Sequence, residues 1–96
     1  MKIEFHPEAL AEFRAATTYY EAQQRDLGSR FMIAVESAIA HIAESPTAWR
    51  IVEDDVRRYL TKVFPYAVLY SIEDGYILIV AIMHLRREPG YWRKRV

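Results

Sequence analysis

Ninety-six residues suffice for one domain, because separate hydrophobic cores need roughly 100–150 residues each. A hydrophobic share of 52% is enough for a core and too high for a disordered tail, and the lack of cysteine excludes disulfides, thiolate zinc sites and thiol nucleophiles. Thirteen basic and 13 acidic residues cancel overall but not locally: 1–55 hold ten acidic and five basic residues (−5), and 56–96 hold three acidic and eight basic (+5). A chain so polarised can offer one face to phosphates or to an acidic partner, although helices and strands also differ in charge for no functional reason. The longest apolar run, Tyr76 to Met83, is eight residues, against about 20 for a membrane span. Charge in the opening Met1-Lys2-Ile3-Glu4 is unlike a signal peptide. A cytoplasmic protein with no membrane contact is the expectation.

In chain order, Lys2 to Phe5 alternates and reads as a short strand. His6-Pro7-Glu8 reads as a helix start, since proline suits the first helical position and an early glutamate suits the helix dipole. Leu10, Phe13, Thr17 and Tyr20 give this helix an apolar face as far as about Gln24, and Ala11, Ala15, Thr18 and Ala22 form a row of small residues that lets another helix approach. Gly28 and Ser29 read as punctuation. Phe31, Val35, Ala38 and Ile42 mark a second helix ending near Glu44, before Ser45-Pro46. Met32, Ile33, Ile39 and Ala43 widen its apolar surface, so cover on more than one side is expected.

The remainder is strand-like. Val56 to Val63 is one candidate, and Tyr66 to Ile72 is another, with Tyr66, Val68, Tyr70 and Ile72 on one face. Glu73-Asp74-Gly75 supplies a hairpin turn, and Tyr76 to His84, apolar on both faces, reads as a central strand. The expected architecture is a single α+β domain over residues 1–96, of order β-α-α-β-β-β, with a helical hairpin on one face of a mainly antiparallel sheet.

Several residues invite a functional reading. His84 ends an apolar strand two positions before Arg86, which on a continuing strand puts both on one face; a histidine hydrogen-bonded at the sheet rim fits as well. His6 and His41 read as structural, and three histidines so scattered give no metal-ligand spacing, so no metal and no cofactor is expected. Arg86, Arg87, Arg93, Lys94 and Arg95, interleaved with Tyr91 and Trp92, suit nucleic acid or an acidic protein groove. The alternative is a solvated terminus in which Trp92 covers the sheet edge. On a strand, Arg58 and Lys62 share one face and Arg57 takes the other. Glu53-Asp54-Asp55 reads as a solvated loop.

Phe64-Pro65-Tyr66-Ala67-Val68-Leu69-Tyr70 resembles the strand signature of the RelE/ParE toxins. The stretch Ile79 to Pro89, followed by Trp92 and Arg93, resembles their last strand and tail, and Leu27-Gly28-Ser29-Arg30-Phe31 and Ser45-Pro46 are similar to their second helix start and end. The resemblance implies the toxin of a bacterial type II toxin–antitoxin module, in hetero-oligomeric complex with a cognate antitoxin. ParE-like members bind and poison DNA gyrase without a hydrolytic centre. RelE-like members cleave mRNA on the ribosome.

For the RNA-cleaving branch the resemblance nominates Arg58, Lys62, His84 and Arg86, but Ala67 stands where an arginine is typical, and Trp92 stands where a proton-transferring tyrosine or histidine is typical. The ParE-like branch is therefore favoured, with ribosome-dependent cleavage as the alternative. For that branch the resemblance assigns target binding to Arg86, Arg87, Tyr91, Trp92, Arg93, Lys94 and Arg95. The small-residue row Ala11, Ala15, Thr18 and Ala22 and the apolar Met32 and Ile33 need partners: they pack on each other and the sheet, or they accept the antitoxin, which the resemblance implies is a segment folding across the toxin or adding to a sheet edge.

Overall fold

A computed structural model describes residues 1–96. Strand β1 (Lys2–Phe5) leads into helices α1 (Pro7–Gln23) and α2 (Leu27–Glu44). Four strands follow: β2 (Ile51–Glu53), β3 (Val56–Leu60), β4 (Tyr66–Ile72) and β5 (Tyr76–His84). A single 3-10 turn, Arg93–Arg95, ends the chain. The five strands form one sheet of order β1-β5-β4-β3-β2, in which only the β1–β5 pair is parallel. The α+β architecture with β5 inside the sheet is the one expected.

Pro7 opens α1, and His6 accepts the Glu8 amide on its Nδ1 at 3.1 Å, filling one of the amides that a helix start leaves unpaired. Helix α2 begins at Leu27, where the resemblance puts a helix start, so Gly28 and Ser29 lie in its first turn instead of separating the helices. Asp26, at φ 70, makes the reversal. The Glu21 carboxylate of α1 then accepts the amides of Asp26 and Gly28, both at 3.0 Å, capping α2 from its neighbour. A Cβ on Gly28 would sit 2.7 Å from the Thr17 carbonyl oxygen, so only glycine lets the two backbones approach this closely.

The sheet is buried on both faces. Under the helices, Val68, Tyr70, Ile77, Ile79 and Ile82 meet Phe31, Val35 and Ile42. On the opposite face Val56, Ala67, Leu69, Val80 and Ala81 pack against Trp92 from the C-terminal segment. Two consecutive residues of β5 point to the second face because its register against β4 slips there: Leu69 pairs with Ala81 and Tyr70 with Ile79, leaving Val80 extra.

Three expectations need correction. Strand β3 ends at Leu60, because Thr61 turns back on Phe64 and Tyr66 through its hydroxyl, and Val63 adopts φ 72. Glu53 belongs to an added edge strand, with Asp54 at φ 49 making the turn into β3. The small-residue row of α1 faces solvent; α2 instead packs by way of Gly28. Helix α2 is covered on two sides, by α1 and by the sheet, as expected, while Met32 and Ile33 stay exposed.

Candidate functional site

The basic C-terminal residues do not form a free tail. Strand β1 pairs with β5 only as far as Ile79, so the upper outer edge of β5 has no neighbouring strand. Glu12, on the inner side of α1 near Phe13 and Ala16, fills that edge. Its Oε1 accepts the Ile82 amide at 3.0 Å and the Arg95 Nη1 at 2.9 Å, and its Oε2 accepts Tyr91 Oη at 2.7 Å and Arg95 Nη2 at 3.0 Å. Arg95 also donates to the Val80 carbonyl at 3.1 Å. The Arg95 side chain is 8% exposed. Its hydrogen bonds to Glu12 hold its guanidinium more firmly protonated than usual. Burial, and then the Glu12 carboxylate, push the Tyr91 phenol well above the ordinary tyrosine range.

Gly90, at φ 81, turns the chain into this segment, and the Arg93 guanidinium lies where a side chain on Gly90 would sit. From there Arg93 reaches Glu53 on β2 with two hydrogen bonds of 2.6 and 2.8 Å, a two-point pairing of guanidinium and carboxylate. Trp92, 4% exposed, fills the second core.

These contacts divide the residues assigned to target binding. Trp92 is inside and Arg95 is consumed by Glu12, so neither side chain is a surface contact. Trp92 lies over the inner strands, not at a sheet edge. Arg93 is exposed but engaged with Glu53. Arg86, Arg87 and Lys94 are exposed and make no ion pair, and the Arg87 guanidinium stacks 3.8 Å from the centre of the half-buried Tyr91 ring. Beside them, a cleft of about 260 Å³ is lined by Val52, Arg58, Met83, Leu85, Arg87 and Trp92 among others. Arg58 has no carboxylate partner there.

The groups nominated for RNA cleavage are not assembled. Arg58 lines this second-face cleft, whereas Lys62, beyond the end of β3, lines a cleft on the helix side. Their expected common face is lost with the early end of β3. His84 packs edge-on against Tyr66 and accepts the Arg86 amide on Nδ1 at 3.0 Å. Arg86 itself lies in the turn after β5, not on a continuing strand. No hydrogen bond joins the four side chains.

The residues assigned to antitoxin binding all face solvent, on two neighbouring surfaces. Thr18, Ala22 and Met32 line a shallow groove between α1 and α2. Ile33, 64% exposed, sits across α2 in a cleft of about 310 Å³ with Tyr59, Val63 and Phe64 on its far wall and Arg30 and Lys62 at its rim. Val63 is 89% exposed and holds a left-handed backbone, an unusual place for a β-branched residue.

Glu12 and the Tyr59–Val63–Phe64 wall are absent from the expectations. The signal for Glu12 is its position between Ala9, Phe13 and Ala16, which places an acidic side chain on the buried arc of α1. The cleft wall is built by the backbone turn after Leu60 and leaves no periodic trace.

A family model described as "ParE toxin of type II toxin-antitoxin system, parDE" matches residues 3–89. The fold is similar to a solved structure titled "Chromosomal ParDE TA system from P. aeruginosa", with a TM-score of 0.67 over 90% of this chain and 97% of that one. Identity in that pairing is 17%, so it speaks for the fold. No curated protein matches the chain.

Proposed function

The chain belongs to the ParE toxin family of type II toxin–antitoxin systems, and we propose from that premise that it inhibits DNA gyrase by binding and is silenced by a cognate antitoxin. The observation that carries the binding reading is the dispersal of the RNA-cleaving candidates. Arg58 and Lys62 line clefts on opposite sides of the sheet, and His84 is engaged by the Arg86 amide. Metal-free RNA cleavage needs a base, an acid and cations around one phosphate, and such groups work only when held together. Binding needs only a surface. Arg58 and Arg87 line the second-face cleft next to the apolar Met83 and Leu85, and the one carboxylate there, Glu53, is taken by Arg93; Arg86 and Lys94 add exposed cations outside it.

The antitoxin reading rests on the exposed apolar residues of the helix side. The exposed Ile33 and Val63 line one cleft together with Phe64, Arg30 and Lys62. An acidic amphipathic segment would cover this surface and pair its cations. Val63 in a strained conformation in the cleft wall is the kind of local cost that persists at binding sites. The outer edges of β1 and β2 are open to an added strand. No helix is long and apolar enough to cross a membrane, which fits a partner and a target in the cytoplasm.

The test is induction of this chain alone in bacteria carrying a DNA-damage reporter, with growth followed in the same culture. Arrested growth with a rising reporter supports gyrase poisoning. Arrested growth with a silent reporter overturns it, and mapping of cut mRNA ends then tests ribosome-dependent cleavage. Unimpeded growth overturns the inhibitory reading.

A further inference from the structure

We infer that Glu12 is the positioning residue of the target-facing surface: its carboxylate fixes the C-terminal segment Tyr91–Arg95 on the open edge of β5 and so sets where Arg87 and Lys94 stand. The role of those two cations rests on the gyrase reading above; the anchoring does not.

Strand β5 runs on to His84 after its last pairing with β1, at Ile79. Its edge there carries the Ile82 amide and the Val80 carbonyl, and an unpaired backbone group away from water is costly. One carboxylate and one guanidinium stand in for the missing strand: Glu12 takes the amide and Arg95 the carbonyl. The same two side chains bind each other through two hydrogen bonds, so edge and segment are secured together. Tyr91 Oη adds the fourth donor to Glu12. Both oxygens thus serve two donors each, and one α1 side chain holds positions 70, 79 and 83 residues away in sequence.

The other attachments cannot replace this one. Trp92 contributes burial, which is non-directional. The Arg93–Glu53 pair is largely exposed, where such pairs contribute little. The Glu12 contacts are directional and, with the Arg95 side chain 8% and the Glu12 side chain 17% exposed, shielded from water. Arg87 lies over the anchored Tyr91 ring, and Lys94 precedes the anchored Arg95, so both inherit their positions from Glu12. The charged neighbours of the site are Glu8, 3.7 Å from Arg95, and Arg87.

The test compares Glu12→Gln with the parent, using the full chain with Trp49→Phe so that Trp92 alone fluoresces. An amide has one acceptor oxygen and turns a donor toward Ile82 or Arg95. Exchange of the Ile82 amide should accelerate about tenfold or more, the scale of one lost hydrogen bond to a charged group, and Trp92 emission should shift to the red. The concentration that half-inhibits supercoiling by purified bacterial gyrase should rise about tenfold. Ile42→Val, a mild core change under α2, is the control: it lowers the melting temperature but leaves gyrase inhibition at the parent level. Tyr91→Phe, which removes a single donor, gives a smaller shift of the same sign and serves if Glu12→Gln does not fold. Unchanged Ile82 exchange and Trp92 emission overturn the anchoring role. A loosened segment with undiminished inhibition overturns the presentation of Arg87 and Lys94 while the anchor stands. If the parent chain does not inhibit gyrase, the target reading fails, and exchange and emission still decide the anchor.

Discussion

Arg93 closes on Glu53 with hydrogen bonds of 2.6 and 2.8 Å across 40 residues of sequence, tying the C-terminal turn to the outermost strand of the sheet. The Arg93 guanidinium draws the Glu53 carboxyl below the usual glutamate range. The sign follows from linkage. The folded chain releases this proton more readily than the unfolded one, so the contribution is complete above the unfolded value of about 4.3 and is lost as the pH falls through the lowered native value. Acid titration should therefore loosen the segment once the pH falls below the ordinary glutamate range. Trp92 emission in a Trp49→Phe background measures it, and Glu53→Gln should remove that component of the transition.

Trp49→Phe is itself predicted to be nearly neutral. The buried Trp49 Nε1 has no hydrogen-bond partner, and leaving such a group unmade costs about 1–3 kcal/mol. Its removal offsets the volume lost from the contact with Tyr59. A melting temperature within about 5 °C of the parent, the shift that about 1 kcal/mol gives in a chain of this length, is the expected outcome.

At the alkaline end the group to watch is Tyr91. Its raised value means that the folded chain holds the phenolic proton more tightly than the unfolded one. The stability it contributes is complete below about pH 10 and disappears as the pH climbs through the native value. Tyr20, Tyr66 and Tyr70 are raised as well, by burial first. Phenolate absorbance should thus develop partly in step with unfolding. Tyr91→Phe should lower stability by about 1 kcal/mol, the net scale of one partly exposed hydrogen bond, and should reduce the alkaline component.

The helix crossing gives a steric prediction. A methyl group on Gly28 meets the Thr17 carbonyl oxygen at 2.7 Å and the Glu21 Cβ at 2.8 Å. One of those is backbone and cannot rotate away. Gly28→Ala should push α1 and α2 apart, displace the Glu21 cap, and cost about 1–3 kcal/mol, read by urea unfolding.

Elements defined by strong local patterns were legible in the sequence. Tyr66–Ile72 and Tyr76–His84 have the expected bounds because apolar content, a Gly75 turn at φ 85 and chain length agree there. The end of β3 was not legible, since Thr61 and Val63 reverse the chain inside a run that still looks like a strand. Charge in the C-terminal segment was legible but its fate was not. Whether Arg93 and Arg95 face a target or an internal carboxylate depends on Glu53 and Glu12, 40 and 83 residues away. Trp92 reads equally well as a contact or as a core residue until the Val80–Ala81 slip provides a second apolar face to receive it.

Val63 separates stability from recognition. It holds φ 72 with a branched side chain that is 89% exposed, so the free chain gains little from its side chain and bears a backbone cost of about 1–2 kcal/mol. Asparagine adopts that conformation more readily and keeps ordinary chain entropy. Val63→Asn should raise the stability of the isolated chain by about 1 kcal/mol. Should the cleft between Ile33 and Val63 receive the antitoxin, the same change weakens the complex, and Ile33→Glu weakens it further while altering free-chain stability by no more than about 0.5 kcal/mol. Thermal melting of the free chain and rescue of growth by the co-expressed antitoxin measure the two effects separately. A substitution that stabilises the toxin and impairs its rescue places the antitoxin on this cleft, whereas full rescue of both variants moves it to the α1–α2 groove at Thr18, Ala22 and Met32.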